Sequence, residues 1–219
     1  MDTIQTHVLL ASGFLKPIAS LLQDSVTKAI KKISEKIPIK DVDIVFFDQR
    51  DDFNSYAQID TKTGLGQFAI SAHVLYVAVQ SDHKDIHVSL LERPLMAALS
   101  HGLYHCLRGQ SLRMPEENLI SGLVGEGLAG HFEVDMTGEI QPELYLALTD
   151  KILTEFWEKA KKAYWDKGYS YSKWFLGKDP EIPFGSGHSL GYKIVSDYLL
   201  TYPSEKASTL YSKQPQEFI

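Results

Sequence analysis

The segment Ala97-Ala-Leu-Ser-His-Gly-Leu-Tyr-His-Cys-Leu-Arg108 is the part of the sequence from which both fold and chemistry are predicted. His101 and His105 lie four residues apart in a helical pattern, so both imidazoles project from one face of a helix. The opposite face carries leucines that can bury the helix against a core: Leu95, Leu99 and Leu103. The two imidazoles can ligate one metal ion, and the alternative is a pair of partly buried histidines satisfied by hydrogen bonds.

A carboxylate in the next helical segment favours the metal. The stretch Gly125-Glu-Gly-Leu-Ala-Gly-His-Phe-Glu133 places Glu126 among small residues, 21 positions after His105. A carboxylate aimed across a helix interface needs a partner, because an unpaired buried charge is very costly. A divalent cation held by two imidazoles is such a partner, and two nitrogens with one carboxylate favour zinc among the divalent transition metals. We therefore predict a metal site of His101, His105 and Glu126, with Glu133 as a competing third ligand or as a group that hydrogen-bonds a ligand.

Hydrophobic periodicity predicts an α+β fold, in which a small N-terminal sheet with a helix precedes a helical part. The first helix is expected over about 18–33, and strands are expected at 42–47, 68–70 and 73–79. Further helices are expected near 90–109, 116–135, 142–166 and 188–201, with a loop over 50–64 and a turn at 113–116. We expect a single domain over 1–219, with an α/β part of about 1–88 and a helical part of about 89–219.

Small residues in the segment around Glu126 would permit close approach to the helix of the histidine pair. They are Gly122, Gly125, Gly127, Ala129 and Gly130. The turn at 113–116 would let this second helix return beside the helix of the histidine pair, which is how Glu126 is expected to reach the metal.

Composition and charge exclude several classes of protein. The chain has 219 residues, of which 44% are hydrophobic and 23% charged, as in an ordinary globular protein. A net charge of -6 argues against a nucleic-acid partner, because phosphate backbones are bound by clustered Lys and Arg. The apolar run His7–Leu15 is too short to span a membrane and lacks the basic flank of a signal peptide. With only one cysteine, the sequence predicts a soluble, cytoplasmic protein with no membrane partner.

Four short motifs are spread along the second half of the chain: His101-x-x-x-His105, Glu126-Gly-Leu-Ala129, Trp174-Phe-Leu-Gly177 and Gly191-Tyr-Lys-Ile-Val195. Together they resemble the YjaZ-type family of predicted zinc-dependent proteases, a gluzincin-like group, over about 64–198. The resemblance implies that His101, His105 and Glu126 ligate zinc. It also implies a short sheet packed on a zincin-like active-site helix, with a helical C-terminal part that closes the cleft.

One position departs from the family pattern. The family has Glu straight after the first histidine, where this chain has Gly102. In a zinc protease that Glu is the general base, and losing a general base costs about two to four orders of magnitude in rate. The sequence therefore argues against ordinary peptide hydrolysis. Because glycine also weakens a helix by about 1 kcal/mol relative to alanine, we expect either a local steric reason for Gly102 or a ligand group in the vacated space.

The glycine-rich stretch Pro183-Phe-Gly-Ser-Gly-His-Ser-Leu-Gly-Tyr192 leads into the last helix and offers further candidate catalytic residues. His188 or Tyr192 would reach the cleft and stabilise a developing oxyanion, and His188 is also conceivable as a fourth nitrogen ligand. The alternative is a helix start followed by a packed tyrosine.

Three interpretations of function stay open from the sequence. The first is a hydrolase descendant in which Glu133 or His188 replaces the missing base. The second is a metal-dependent lyase, isomerase or cyclase that acts on a small molecule or a peptide. The third is a non-catalytic, metal-stabilised binding module, that is, a pseudoenzyme whose cleft holds a peptide or small molecule.

Overall fold

The chain forms two compact units. The computed structural model describes residues 4–49, 59–112 and 118–219. The first unit, Met1–Gln110, contains the sheet, and the second, Ser111–Ile219, is helical. A small sheet with a helical C-terminal part confirms the predicted α+β class.

The first unit is built on a four-stranded mixed sheet with the strand order β1-β2-β4-β3. The strands are β1 (Ile4–Val8), β2 (Val42–Asp48), β3 (Leu65–Ser71) and β4 (Val74–Val79). β2 is parallel to both β1 and β4, while β3 runs antiparallel to β4 and forms one edge. The strands predicted at 42–47, 68–70 and 73–79 are confirmed, whereas β1 was not predicted. One face of the sheet carries fully buried side chains: Ile44, Phe46, Leu75 and Val77.

Three helices complete the first unit: α1 (Ala19–Ser34), α2 (Ile86–Leu91) and α3 (Arg93–Leu112). α1 matches the predicted first helix and buries Leu22, Val26 and Ile33. Pro94 lies in the first turn of α3, where proline is tolerated because that amide has no helical partner. The leucines expected to anchor α3, at 95, 99 and 103, are buried as predicted.

The second unit contains five helices among its described residues. They are α4 (Leu119–Thr137), α5 (Pro142–Tyr145), α6 (Asp150–Ala163), α7 (Tyr171–Phe175) and α8 (Ser186–Thr201). The side chain of Asn118 caps α4 by accepting a hydrogen bond from the Ser121 amide, and Gly138 ends the helix in the left-handed conformation.

The single helix predicted over 142–166 is wrong, because α5 and α6 are separate. Ser189 of α8 explains the break. Its hydroxyl donates to the Leu144 carbonyl and accepts from the Ala147 amide, each at 3.1 Å. Backbone groups that a continuous helix would pair internally are therefore bound by a side chain from a distant element.

α4 and α8 touch backbone to backbone. A Cβ on Gly127 would lie 2.1 Å from the Gly191 carbonyl oxygen, and a Cβ on Gly191 would lie 2.1 Å from the Leu123 carbonyl oxygen. The small residues of α4 thus permit a close approach to α8 at Gly127, whereas the sequence analysis expected that approach with the helix of the histidine pair. Gly191 begins one of the four motifs, so packing accounts for it.

Two sequence predictions lie wholly or partly outside the described residues. These are the turn at 113–116 and most of the loop over 50–64. Within that loop, the described residues 61–64 form a turn. Among the described helices, none combines the length and apolar character that crossing a bilayer requires.

Candidate metal centre

The two histidines of α3 face each other at a distance that fits either a hydrogen bond between the rings or a shared metal ion. The Nε2 atoms of His101 and His105 lie 3.0 Å apart. His101 is buried and His105 is half-buried. Two nitrogens on one tetrahedral zinc, each bonded at about 2.0–2.1 Å, are separated by about 3.3 Å. The pair therefore lies close to the separation that shared coordination requires.

Gly102 has no room for a side chain. A Cβ there would lie 2.4 Å from Cδ1 of Leu75 and 2.9 Å from Oε1 of Gln67. Both neighbours come from the buried face of the sheet, since Gln67 pairs with Val77 in the β3–β4 ladder. The expected steric reason for glycine is confirmed, while the expected vacated space is filled by Leu75 and Gln67. Oε1 of Gln67 is buried and has no hydrogen-bond partner in the described part of the chain.

Glu126 lies in α4 with its side chain buried and hydrogen-bonded. The Tyr171 hydroxyl donates to Oε1 at 2.9 Å. Nε2 of His188 lies 3.4 Å from Oε2. Burial and the neighbouring Glu126 carboxylate raise the pKa of Tyr171 well above its ordinary value, so the phenol keeps its proton and acts as the donor. α7 and α8 thus each bring one polar group to this carboxylate.

One phenylalanine packs against both partners of Glu126. The Phe175 ring stacks on Tyr171 with centroids 4.5 Å apart and meets His188 edge-on at 5.2 Å. A Cβ on Gly187 would lie 2.4 Å from the Phe175 ring, so glycine at that position allows this contact. The two polar groups are therefore held by a fully buried aromatic ring.

Glu133, the competing ligand and substitute base of the sequence prediction, is buried in a hydrogen-bonded cluster. The Tyr145 hydroxyl donates to Oε2 at 2.7 Å, and the Gln141 side-chain amide donates to Oε1. Burial and the Glu133 carboxylate raise the pKa of Tyr145 well above its ordinary value, which keeps the phenol a donor. The roles predicted for Glu133 stay predictions, but these contacts account for its burial without a metal.

Tyr192, the other predicted catalytic residue of α8, packs against aromatic rings. Its ring stacks on His131 at 3.9 Å and on Tyr145 at 5.0 Å. Its carbonyl oxygen lies 3.2 Å from Nε2 of His131. Tyr192 is half-buried, and its predicted role in transition-state stabilisation stays a prediction.

Three of the predicted residues form a group that could hold a metal ion. The donor atoms they offer are two imidazole nitrogens from the first unit and one carboxylate oxygen from the second. Among the described residues, this group includes neither Glu133 nor His188. Two imidazoles and one carboxylate are a donor set that zinc accepts, so the residues fit the metal.

Two imidazoles presented four residues apart from one face of a helix are the arrangement with which zinc proteases bind their metal. The chain belongs to the family described as predicted Zn-dependent protease (DUF2268), whose model matches residues 22–219. The resemblance drawn from the motifs is thereby confirmed. No curated protein and no solved structure matches the chain.

Tyr171 is the residue of this site that the sequence analysis missed. It lies in a cluster of aromatic residues near the C-terminus, for which core packing is the ordinary explanation. A tyrosine in such a cluster has no sequence signal that marks its hydroxyl as the partner of a carboxylate 45 residues away.

Proposed function

We propose that this protein binds one zinc ion through His101, His105 and Glu126, and that it is a gluzincin-like protein without ordinary peptide hydrolysis. The observation that carries the proposal is the 3.0 Å separation of the two histidine Nε2 atoms on α3. Membership in a family of predicted Zn-dependent proteases supports zinc as the metal.

The missing general base supports the loss of hydrolysis. Zinc bound at this site would supply a Lewis acid that polarises a carbonyl oxygen. A protease also needs a group that accepts a proton, and Gly102 offers none. The neighbouring Gln67 amide does not accept a proton at neutral pH. Glu133 is buried with both carboxylate oxygens hydrogen-bonded, which counts against its use as a substitute base.

The second candidate function is a metal-stabilised binding module that holds a peptide or a small molecule without converting it. The filled space at Gly102 favours this module over a lyase, isomerase or cyclase, because that space was where a reacting small molecule would approach the metal. We also propose that the protein is cytoplasmic.

A restored base tests the proposal. Glu cannot be placed at residue 102 alone because of Leu75, so the variant is Gly102→Glu with Leu75→Ala, and the matched control is Gly102→Gln with Leu75→Ala. We expect zinc-loaded wild type and the Gln control to leave unstructured peptides uncut, while the Glu variant gains slow cleavage. Cleavage by wild type that depends on zinc and on His101 would contradict the loss of hydrolysis. A folded, zinc-loaded Glu variant that cuts nothing would favour the binding module.

A further inference from the structure

We propose that Tyr171 and His188 are positioning residues that hold the Glu126 carboxylate in the orientation in which it binds the metal. The inference rests on the proposed function, because it takes Glu126 to be a ligand. In this inference His188 acts through Glu126 and does not touch reacting groups. Tyr171 has a function in addition to packing.

The contacts divide the two oxygens of the carboxylate between two elements. Tyr171 of α7 donates to Oε1 at 2.9 Å, which is a full hydrogen bond. Nε2 of His188 in α8 lies 3.4 Å from Oε2, which is longer than a usual N–H···O bond. The Tyr171 hydrogen bond restrains Oε1, and the His188 contact limits the directions in which Oε2 can point.

Phe175 packs against both partners of Glu126. Phe175 stacks on the Tyr171 ring with an interplanar angle of 15° and meets the His188 ring at 88°. Phe175 has no exposed surface and His188 is 7% exposed, whereas Tyr171 is 42% exposed. Packing therefore fixes the His188 ring, while the Tyr171 ring is restrained on the side that faces Phe175.

The burial of Glu126 explains why its hydrogen bonds matter. A buried carboxylate is stable only when it is paired or hydrogen-bonded, and Glu126 is 6% exposed. A phenol supplies one neutral hydrogen bond. Groups that hydrogen-bond a metal ligand in this way orient it, and their loss weakens metal affinity by about 10–100-fold.

The test is the Zn²⁺ affinity of Tyr171→Phe, measured by chelator competition on the metal-stripped full chain. The control is Tyr164→Phe, because the Tyr164 hydroxyl is buried with no hydrogen-bond partner in the described part of the chain. We expect Tyr171→Phe to bind Zn²⁺ about 10–100-fold more weakly than wild type. We also expect it to change the visible spectrum of the Co²⁺-loaded protein while the metal-free protein stays folded. Tyr164→Phe should alter neither the affinity nor the spectrum.

The same change in a Glu126→Gln background separates positioning from general stability. If Tyr171 acts through Glu126, Tyr171→Phe should not weaken the residual affinity of the histidine pair any further. His188→Gln provides a second variant if Tyr171→Phe does not fold, and we expect it to weaken Zn²⁺ binding as well.

Two failures are distinguishable. The inference would be overturned if Tyr171→Phe had the same Zn²⁺ affinity and the same Co²⁺ spectrum as wild type. If wild-type binding still depended on His101 and His105, the proposed function would stand. A loss of affinity that only follows a loss of folding would overturn the inference too. Wild type that binds no Zn²⁺ would overturn the proposed function and the inference together.

Discussion

Gly102 of α3 lies directly against Leu75 of β4, so that a Cβ on residue 102 would approach Cδ1 of Leu75 to 2.4 Å. Leu75 is fully buried, so its side chain has little space into which to move. The residue that removes the family's general base is therefore also the residue that lets the histidine helix pack on the sheet.

This contact predicts that the effect of Gly102→Ala on protein stability changes sign when residue 75 is made smaller. In wild type, overpacking of about 1–3 kcal/mol should exceed the gain of about 1 kcal/mol that alanine brings to a helix. In a Leu75→Ala background the same change should stabilise the protein. Urea unfolding of the four proteins measures both effects. Stabilisation by Gly102→Ala in wild type would show that the helix and sheet are less tightly packed there.

A matched pair of carboxylate variants distinguishes the two candidate third ligands. Glu126→Gln and Glu133→Gln each replace a buried carboxylate with an amide of the same shape. We expect Glu126→Gln to lose most Zn²⁺ affinity and Glu133→Gln to keep it, because Glu133 is held by Tyr145 and Gln141. Glu133→Gln should instead lower the free energy of unfolding by about 1–3 kcal/mol. The opposite pattern of Zn²⁺ affinity would make Glu133 the ligand.

His131 predicts a pH dependence of stability. Burial lowers the pKa of His131, with a smaller opposing effect of the hydrogen bond to the Tyr192 carbonyl oxygen. The unfolded chain therefore takes up this proton at a higher pH than the folded chain, and stability is lost as pH falls below the unfolded value of about 6.5. Between pH 7 and pH 5, metal-free wild type should lose more stability than His131→Gln, with a difference in slope of at most about 1.4 kcal/mol per pH unit. Parallel stability curves for the two proteins would show that His131 does not contribute.

Local signals account for the parts of the fold that the sequence predicted. Spacing of apolar residues gave α1 and α3, and β-branched residues gave β2 and β4. β1 was missed although its alternating pattern is that of a half-buried strand, because it is only five residues long and its last two residues were assigned to the apolar run His7–Leu15. The break between α5 and α6 was missed because Ser189, which makes it, lies more than 40 residues further along the chain.

In the candidate site, too, local patterns predict some residues and miss those that depend on distant segments. The histidine pair follows from helical spacing alone, and Glu126 follows from a buried-carboxylate argument. The steric reason for Gly102 depends on Leu75 in a strand, and the contact of Tyr171 with Glu126 depends on a short helix. No local pattern encodes such contacts between distant segments, so the sequence could predict candidate ligands but not the groups around them.

The most direct test of the central claim is the metal content of the protein as purified without chelator, beside the double variant His101→Ala/His105→Ala. The account predicts about one zinc per chain in wild type and none in the double variant, with both proteins folded. Wild type that contains no metal and takes up none after incubation with Zn²⁺ would contradict it. The two histidines would then be core residues of a fold that no longer binds a metal.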